Sequence, residues 1–213
     1  MGPLFYTGAA VTVVATAALL AAEARGSQLG KWATKPVASG GFLVAGVGAG
    51  ALETAYGRAV LAGLALSMLG DVLLIPKSKR AFLGGLVAFL LGHLAFALAF
   101  ASRGLDLSRA LAALAVVVVS SGLAWRWLSP HVEARMRAPV LAYVTVISSM
   151  VATAAGASAH AGGLVGLVGA LMFYGSDLAV ARERFVAKTF WNRAWGVPLY
   201  FVAQLVIAAS TAG

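Results

Sequence analysis

Apolar residues run almost unbroken along this chain, interrupted at near-regular intervals by short, mostly basic clusters. About eight runs reach the roughly 20 predominantly apolar residues that a membrane-spanning helix needs. They cover 4–22, 34–52, 56–75, 81–101, 108–128, 139–157, 161–181 and 194–212. The runs are continuous and do not alternate with period two, so they predict helices and not barrel strands. Pro36 and Pro139 read as opening helices 2 and 6, since a first turn has no use for the N–H that proline lacks. Gly46-x-x-x-Gly50 and Gly162-x-x-x-Gly166 permit close helix contact within the bundle and leave the oligomeric state open. Connections are short, so 1–213 reads as one all-α, polytopic membrane domain.

Composition agrees: 61% of residues are hydrophobic and 11% charged. The net charge of +9 would suit nucleic acid, but its placement argues for topology. Of 16 Lys and Arg residues, 13 fall in alternate loops: Arg25, Lys31, Lys35; Lys77, Lys79, Arg80; Arg126, Arg135, Arg137; and Arg182, Arg184, Lys188, Arg193. The positive-inside rule makes those loops cytoplasmic and puts both termini outside. The expected partners are therefore membrane lipids, with no nucleic-acid site, and the expected location is a bacterial inner membrane. There is no cysteine, which excludes disulfides and thiol chemistry. Ala22-Glu23-Ala24 resembles a cleavage site, but no basic side chain precedes the first run, so helix 1 is expected to be retained.

Two aspartates interrupt the apolar runs, Asp71 near the end of helix 3 and Asp177 near the end of helix 7. A carboxylate at membrane depth costs about 2.5–3.5 kcal/mol on insertion scales and generally faces a polar interior where it has a function. Each lies roughly 7–9 Å below its basic rim, at about 1.5 Å per residue. The offsets between related features are similar, 103 residues from Pro36 to Pro139 and 106 from Asp71 to Asp177. They point to two parallel four-helix repeats, 1–105 and 106–213.

His93 lies well inside helix 4, about 20 Å along it from Arg80. Counted this way it is deeper than the aspartates, placed to orient a chain or a water without touching them. Lys35 is a candidate cation for a lipid phosphate. Tyr143, Tyr174, Tyr200 and Gln204 offer hydroxyl and amide groups for substrate, and Ser176 reads as a hydrogen-bonding neighbour of Asp177. Trp125, Trp127, Trp191 and Trp195 flank cytoplasmic loops like an aromatic belt. No zinc motif is present, so neither metal nor added cofactor is expected.

The ordered strings Thr34-Lys35-Pro36, Ser67-Met68-Leu69-Gly70-Asp71, Phe82-Leu83-Gly84-Gly85-Leu86 and Gly92-His93 carry a resemblance over essentially the whole chain. Tyr143 through Met150, Gly169-Ala170-Leu171-Met172-Phe173, Ser176-Asp177, Arg184-Phe185, Pro198-Leu199-Tyr200 and Gln204-Leu205-Val206-Ile207 continue it. Together they resemble the YhhN-like lysoplasmalogenase family of eight-helix membrane hydrolases. One position departs: Phe96 stands where a tyrosine is common. The resemblance implies hydrolysis of the vinyl ether bond of lysoplasmalogens, a class of lysophospholipid, to a fatty aldehyde and a glycerophospho-base, without a cofactor.

Vinyl ether hydrolysis begins with protonation of the alkene carbon, giving an oxocarbenium ion that water captures. Two neighbouring carboxyls that share a proton fit that chemistry, as in glycosidases. Asp71, Asp177 and His93 are the catalytic candidates. A proton-coupled transporter of lipid or small molecules is the alternative, because buried acids in parallel repeats suit it too. Reporter fusions after Gly30, Lys79, Arg137 and Lys188 are expected to score cytoplasmic. An outside signal from two or more of them would overturn the topology and the shared depth of the aspartates.

Overall fold

The structure is a computed structural model and describes residues 1–160 and 162–212. Its elements are α1 (Pro3–Ala24), α2 (Gln28–Gly48), α3 (Ala55–Leu73), α4 (Lys79–Ser102), α5 (Leu107–Leu128), α6 (Ala134–Ala157), α7 (Gly163–Ala181) and α8 (Phe190–Ala209). A 3-10 turn, Ser129–His131, follows α5, and a π-helical turn, Arg182–Val186, follows α7. No strand occurs among the described residues. The expected all-α architecture is the one observed.

Side-chain caps set several helix starts by satisfying amide groups that have no helical partner. Ser27 accepts from Gly30 N at 3.1 Å, Thr54 from Gly57 N at 2.9 Å, Ser78 from Ala81 N at 3.0 Å and Asp106 from Arg109 N at 3.1 Å. The first of these corrects the reading of helix 2. Ser27 starts α2 at Gln28, so Pro36 lies inside the helix and does not open it. Pro139 likewise lies inside α6, which starts at Ala134, and Pro198 inside α8. An interior proline removes one i→i−4 hydrogen bond. In these helices it stands within a turn of residues that build the site.

Six helices are long and apolar enough to cross a membrane by length and composition, and α2 and α8 are not among them. α2 carries Lys31 and Lys35 in its first half, and α8 carries Asn192, Arg193 and Gln204. Ser39 on α2 and Asn192 and Gln204 on α8 are all buried. Meanwhile Val13, Val14, Val116, Val119 and Leu123 are exposed on outer faces. A bilayer that is itself apolar permits this distribution, polar groups inside and aliphatic ones outside.

Consecutive helices pack as hairpins, α1 on α2, α3 on α4, α5 on α6 and α7 on α8, while α4–α6, α2–α8 and α1–α8 contacts tie the first four helices to the last four. Glycine makes the closest approaches. A Cβ on Gly8 would lie 2.4 Å from Ala45 N, and one on Gly48 would lie 2.3 Å from Phe5 N. Thr12, one turn beyond Gly8, donates to Gly8 O at 3.0 Å and to Ala38 O at 3.1 Å, so its hydroxyl is satisfied across the α1–α2 seam. Gly63 lies under the Phe96 ring and Gly70 under Phe89. The two spaced glycine pairs divide their roles differently from the expectation. Gly46 and Gly166 pack against side chains, whereas Gly50 and Gly162 sit at helix ends with φ of 89° and 71°. Phe96 is fully buried in the aromatic core with Phe100, Phe173 and Phe201.

Overpacking a close seam costs about 1–3 kcal/mol. Gly8→Ala is therefore expected to lower the unfolding temperature of the protein in detergent by several degrees. Gly122→Ala on α5, where a Cβ would meet nothing within 4 Å, serves as the neutral control. Equal melting of both variants would refute the backbone-contact account of α1–α2.

Candidate active site

Asp71 lies in the last turn of α3 with a side chain 2% exposed. Ser39 Oγ and Tyr200 Oη each donate to its Oδ2, at 2.6 and 2.7 Å, and Lys35 Nζ stands 3.1 Å from Oδ1. Lys35 and Ser39 are four residues apart on α2 and so share one face of it. Two hydroxyl donors and an ammonium saturate the oxygens of an ionised carboxylate. Lys35 thus serves as counter-ion to Asp71 while also lining the cavity.

Asp177, in α7, is held otherwise. Tyr143 Oη of α6 donates to its Oδ2 at 2.8 Å, and His93 Nε2 of α4 lies 3.6 Å from the same oxygen. Among the described residues no Lys or Arg reaches it at ion-pair distance. His93 therefore stands directly beside an acid, where counting depth along α4 puts it deeper than both and out of contact. The imidazole leans across to α7, with Phe173 4.3 Å and Tyr143 5.2 Å from its ring centre. Its Nδ1 lies 2.7 Å from Phe89 O, and a carbonyl only accepts, so Nδ1 carries the proton. In the neutral ring Nε2 then offers a lone pair to Asp177. A lone pair facing a carboxylate oxygen is favourable only when the two groups share a proton.

Both carboxylates line one cavity of about 240 Å³ bounded by residues of α2 through α8. Its walls are mostly apolar, with Phe82, Leu86, Phe89 and Ile147 among them, and its rim carries Glu183, Arg184, Asn192 and Arg193. Glu183 accepts from Thr189 N, Asn192 Nδ2 and Arg193 Nη1, each at 2.9 Å. Arg193 Nε also stands 3.5 Å from Glu23, which pairs with Lys31 at 2.7 Å. Arg182 donates to the Asn192 side-chain oxygen.

The remaining sequence candidates divide. Tyr174 lines the cavity, and its hydroxyl is linked to Ser121 at 2.9 Å and Ser120 at 3.2 Å on α5. Ser176 also lines it, but its hydroxyl donates to Phe173 O at 2.7 Å and not to Asp177 as expected, a common satisfaction of a serine within its own helix. Gln204 is fully buried but does not line the cavity. Its amide sits beside the Tyr200 oxygen without reaching hydrogen-bond geometry. Trp125, expected in an aromatic belt, is part of the cavity wall. Among the described residues, no three His, Asp or Glu side chains converge as a metal-ligand set. Ser39 and the Glu183–Asn192–Arg193 rim were not anticipated. Ser39 follows from Lys35 by helical spacing once α2 is extended past Pro36.

Eight helices enclosing one buried and one partly buried carboxyl, an imidazole and two phenols define a helical, multi-pass membrane protein. The chain belongs to the YhhN family, whose model matches residues 30–211. It is 32% identical over 157 residues to proteins named lysoplasmalogenase TMEM86A from Bos taurus and from Homo sapiens, covering 71% of this chain and 64% of each relative. It is 37% identical over 166 residues to a lysoplasmalogenase of Mycobacterium tuberculosis, covering 71% of this chain and 59% of that one. The chain thus spans a little under two thirds of the length of these relatives. No solved structure matches it.

Proposed function

We propose that this protein is a lysoplasmalogenase that hydrolyses the vinyl ether of lysoplasmalogens drawn from the cytoplasmic leaflet of a bacterial inner membrane. The carrying observation is the unequal treatment of two carboxyls on one apolar cavity. Asp71 is held by Lys35, Ser39 and Tyr200, while among the described residues Asp177 has no Lys or Arg at ion-pair distance and faces a bare imidazole nitrogen. The relatives' names support the substrate class, and an apolar cavity under a charged rim supports a single-chain lipid.

The roles follow from that inequality. The proton shared by Asp177 and His93 is transferred to the β-carbon of the alkene, and the π electrons form the new C–H bond. The resulting oxocarbenium ion lies near the fixed negative charge of Asp71, which stabilises it electrostatically. Water adds to the cationic carbon and gives its proton to Asp177, restoring the acid. The hemiacetal then passes its hydroxyl proton, through the same pair, to the ether oxygen. The C–O bond breaks, releasing aldehyde and alcohol. No proton is gained or lost over the cycle. Tyr143 holds Asp177 in place, and Tyr200 and Ser39 do so for Asp71.

A duplication underlies the site. Asp71 on α3 is held from α2 and α8, and Asp177 on α7 from α6 and α4, which are the matching helices of two four-helix repeats. Against the transporter reading stands the opening of both acids onto one cavity and one rim.

Turnover in heavy water is expected to place deuterium at C2 of the aldehyde when the product is trapped at once by reduction, with a normal solvent isotope effect on kcat. Asp177→Asn and Asp71→Asn are expected to abolish turnover in folded protein, His93→Ala to reduce it severely, and chelators to leave it unchanged. Aldehyde without C2 deuterium would sink the general-acid mechanism. Near-normal activity of either Asn variant would remove that residue from it.

A further inference from the structure

Six charged side chains line the cavity: Lys35, Asp71, Asp177, Glu183, Arg184 and Arg193. Five are committed to one another or to neighbours. Lys35 and Asp71 form a pair, Asp177 faces His93, Glu183 binds Arg193, and Arg193 also reaches Glu23. Arg184 has no carboxylate partner among the described residues. Glu133, outside the cavity, is close enough to feel its charge but bonds Arg135 at 2.7 Å.

The Arg184 guanidinium is nonetheless positioned. Its central carbon lies 4.0 Å from the centre of the Phe82 ring, itself a cavity wall residue. Stacking on an aromatic face holds the guanidinium plane while leaving its N–H edges open, the form in which Arg grips phosphate with two parallel hydrogen bonds. Arg184 also sits in the π-helical turn Arg182–Val186, an element that is rare and concentrates at functional sites.

We propose that Arg184 is the phosphate-recognition residue of this cavity and fixes which bond of a lysophospholipid reaches the acids. This rests on the hydrolase reading above. Arg184 follows Asp177 by seven residues, an axial separation of roughly 10 Å at about 1.5 Å per residue. In a lysoplasmalogen about seven bonds separate the alkene β-carbon from phosphorus, or about 8 Å at the ~1.2 Å advance per bond of an extended chain. A phosphodiester seated on Arg184 therefore sets the vinyl ether beside Asp177. The ester carbonyl of an acyl lysolipid would fall in the same place, but it offers no alkene carbon to take the proton from Asp177. Arg184 thus selects for a phosphate at a fixed distance, and the acids select the bond.

The test uses purified full-length protein in detergent and two non-hydrolysable ligands, a 1-alkyl-glycerophosphocholine and the matching 1-alkylglycerol, with affinities of wild type, Arg184→Gln and Arg184→Lys. The wild type is expected to prefer the phosphate ligand about tenfold or more, the range of a hydrogen bond to a charged group. Arg184→Gln is expected to erase that preference with little change in alkylglycerol binding, and Arg184→Lys to restore part of it. On lysoplasmalogen Arg184→Gln should raise KM and also lower kcat, because the vinyl ether loses its register on Asp177. Equal losses for both ligands, or an unchanged preference in Arg184→Gln, would overturn the assignment. A wild type that prefers the phosphate ligand yet releases no aldehyde would count against the hydrolase reading and leave the phosphate site standing.

Discussion

An ionised carboxylate inside a membrane bundle has to be surrounded by donors, and the arrangement around Asp71 is the constraint from which the rest of the structure follows. Removing one partner from such a buried pair costs about 3–5 kcal/mol, because the remaining charge is left without compensation. Lys35 and Ser39 bring α2 to the carboxylate, and Tyr200 brings α8. Two consecutive helices and the last one are thereby held in one register. The glycine seam between α1 and α2 then seats the first helix against the second. The polar side chains that keep α2 and α8 from being fully apolar are the price of this junction.

Among the described residues the second carboxyl has no Lys or Arg at ion-pair distance, and the proposed chemistry rests on that contrast. Tyr143 and His93 fix the position of Asp177 without neutralising it. His93 is itself fixed by a hydrogen bond to its own helix at Phe89 and by the Phe173 ring. Around the mouth, Glu183 and Arg193 cancel each other and bind the start of α8 to the turn after α7. The rim is thus mostly self-neutralised, and Arg184 stands out against it.

Much of this could be read from the chain. Apolar runs marked all eight helices because burial in lipid demands continuous apolar length, and the aspartates declared themselves because their cost in that setting is high. The failures have a common cause. Propensity puts Pro36 at a helix start, but the Ser27 cap outweighs it and starts α2 about two turns earlier, which sets Lys35 and Ser39 on one helical face. His93 was assessed by depth along its own helix, whereas its contact depends on how far the ring reaches across to α7. Ser176 was judged by adjacency in sequence, although its hydroxyl is taken by the carbonyl three residues earlier. Contacts between helices are set by packing, and linear spacing carries little of that information.

Both acids open onto the same cavity, under the rim formed by the turn after α7 and the start of α8, while Phe96, Phe100 and Phe173 fill the core beyond it. Moving a unit charge across a bilayer against 100 mV involves about 2.3 kcal/mol. A site served from one side, whose acid regains the proton it gives, transfers no charge through that field. On the proposed hydrolysis the cycle is electrically silent, so the membrane's voltage would neither drive nor brake it, in an energised or a de-energised cell alike.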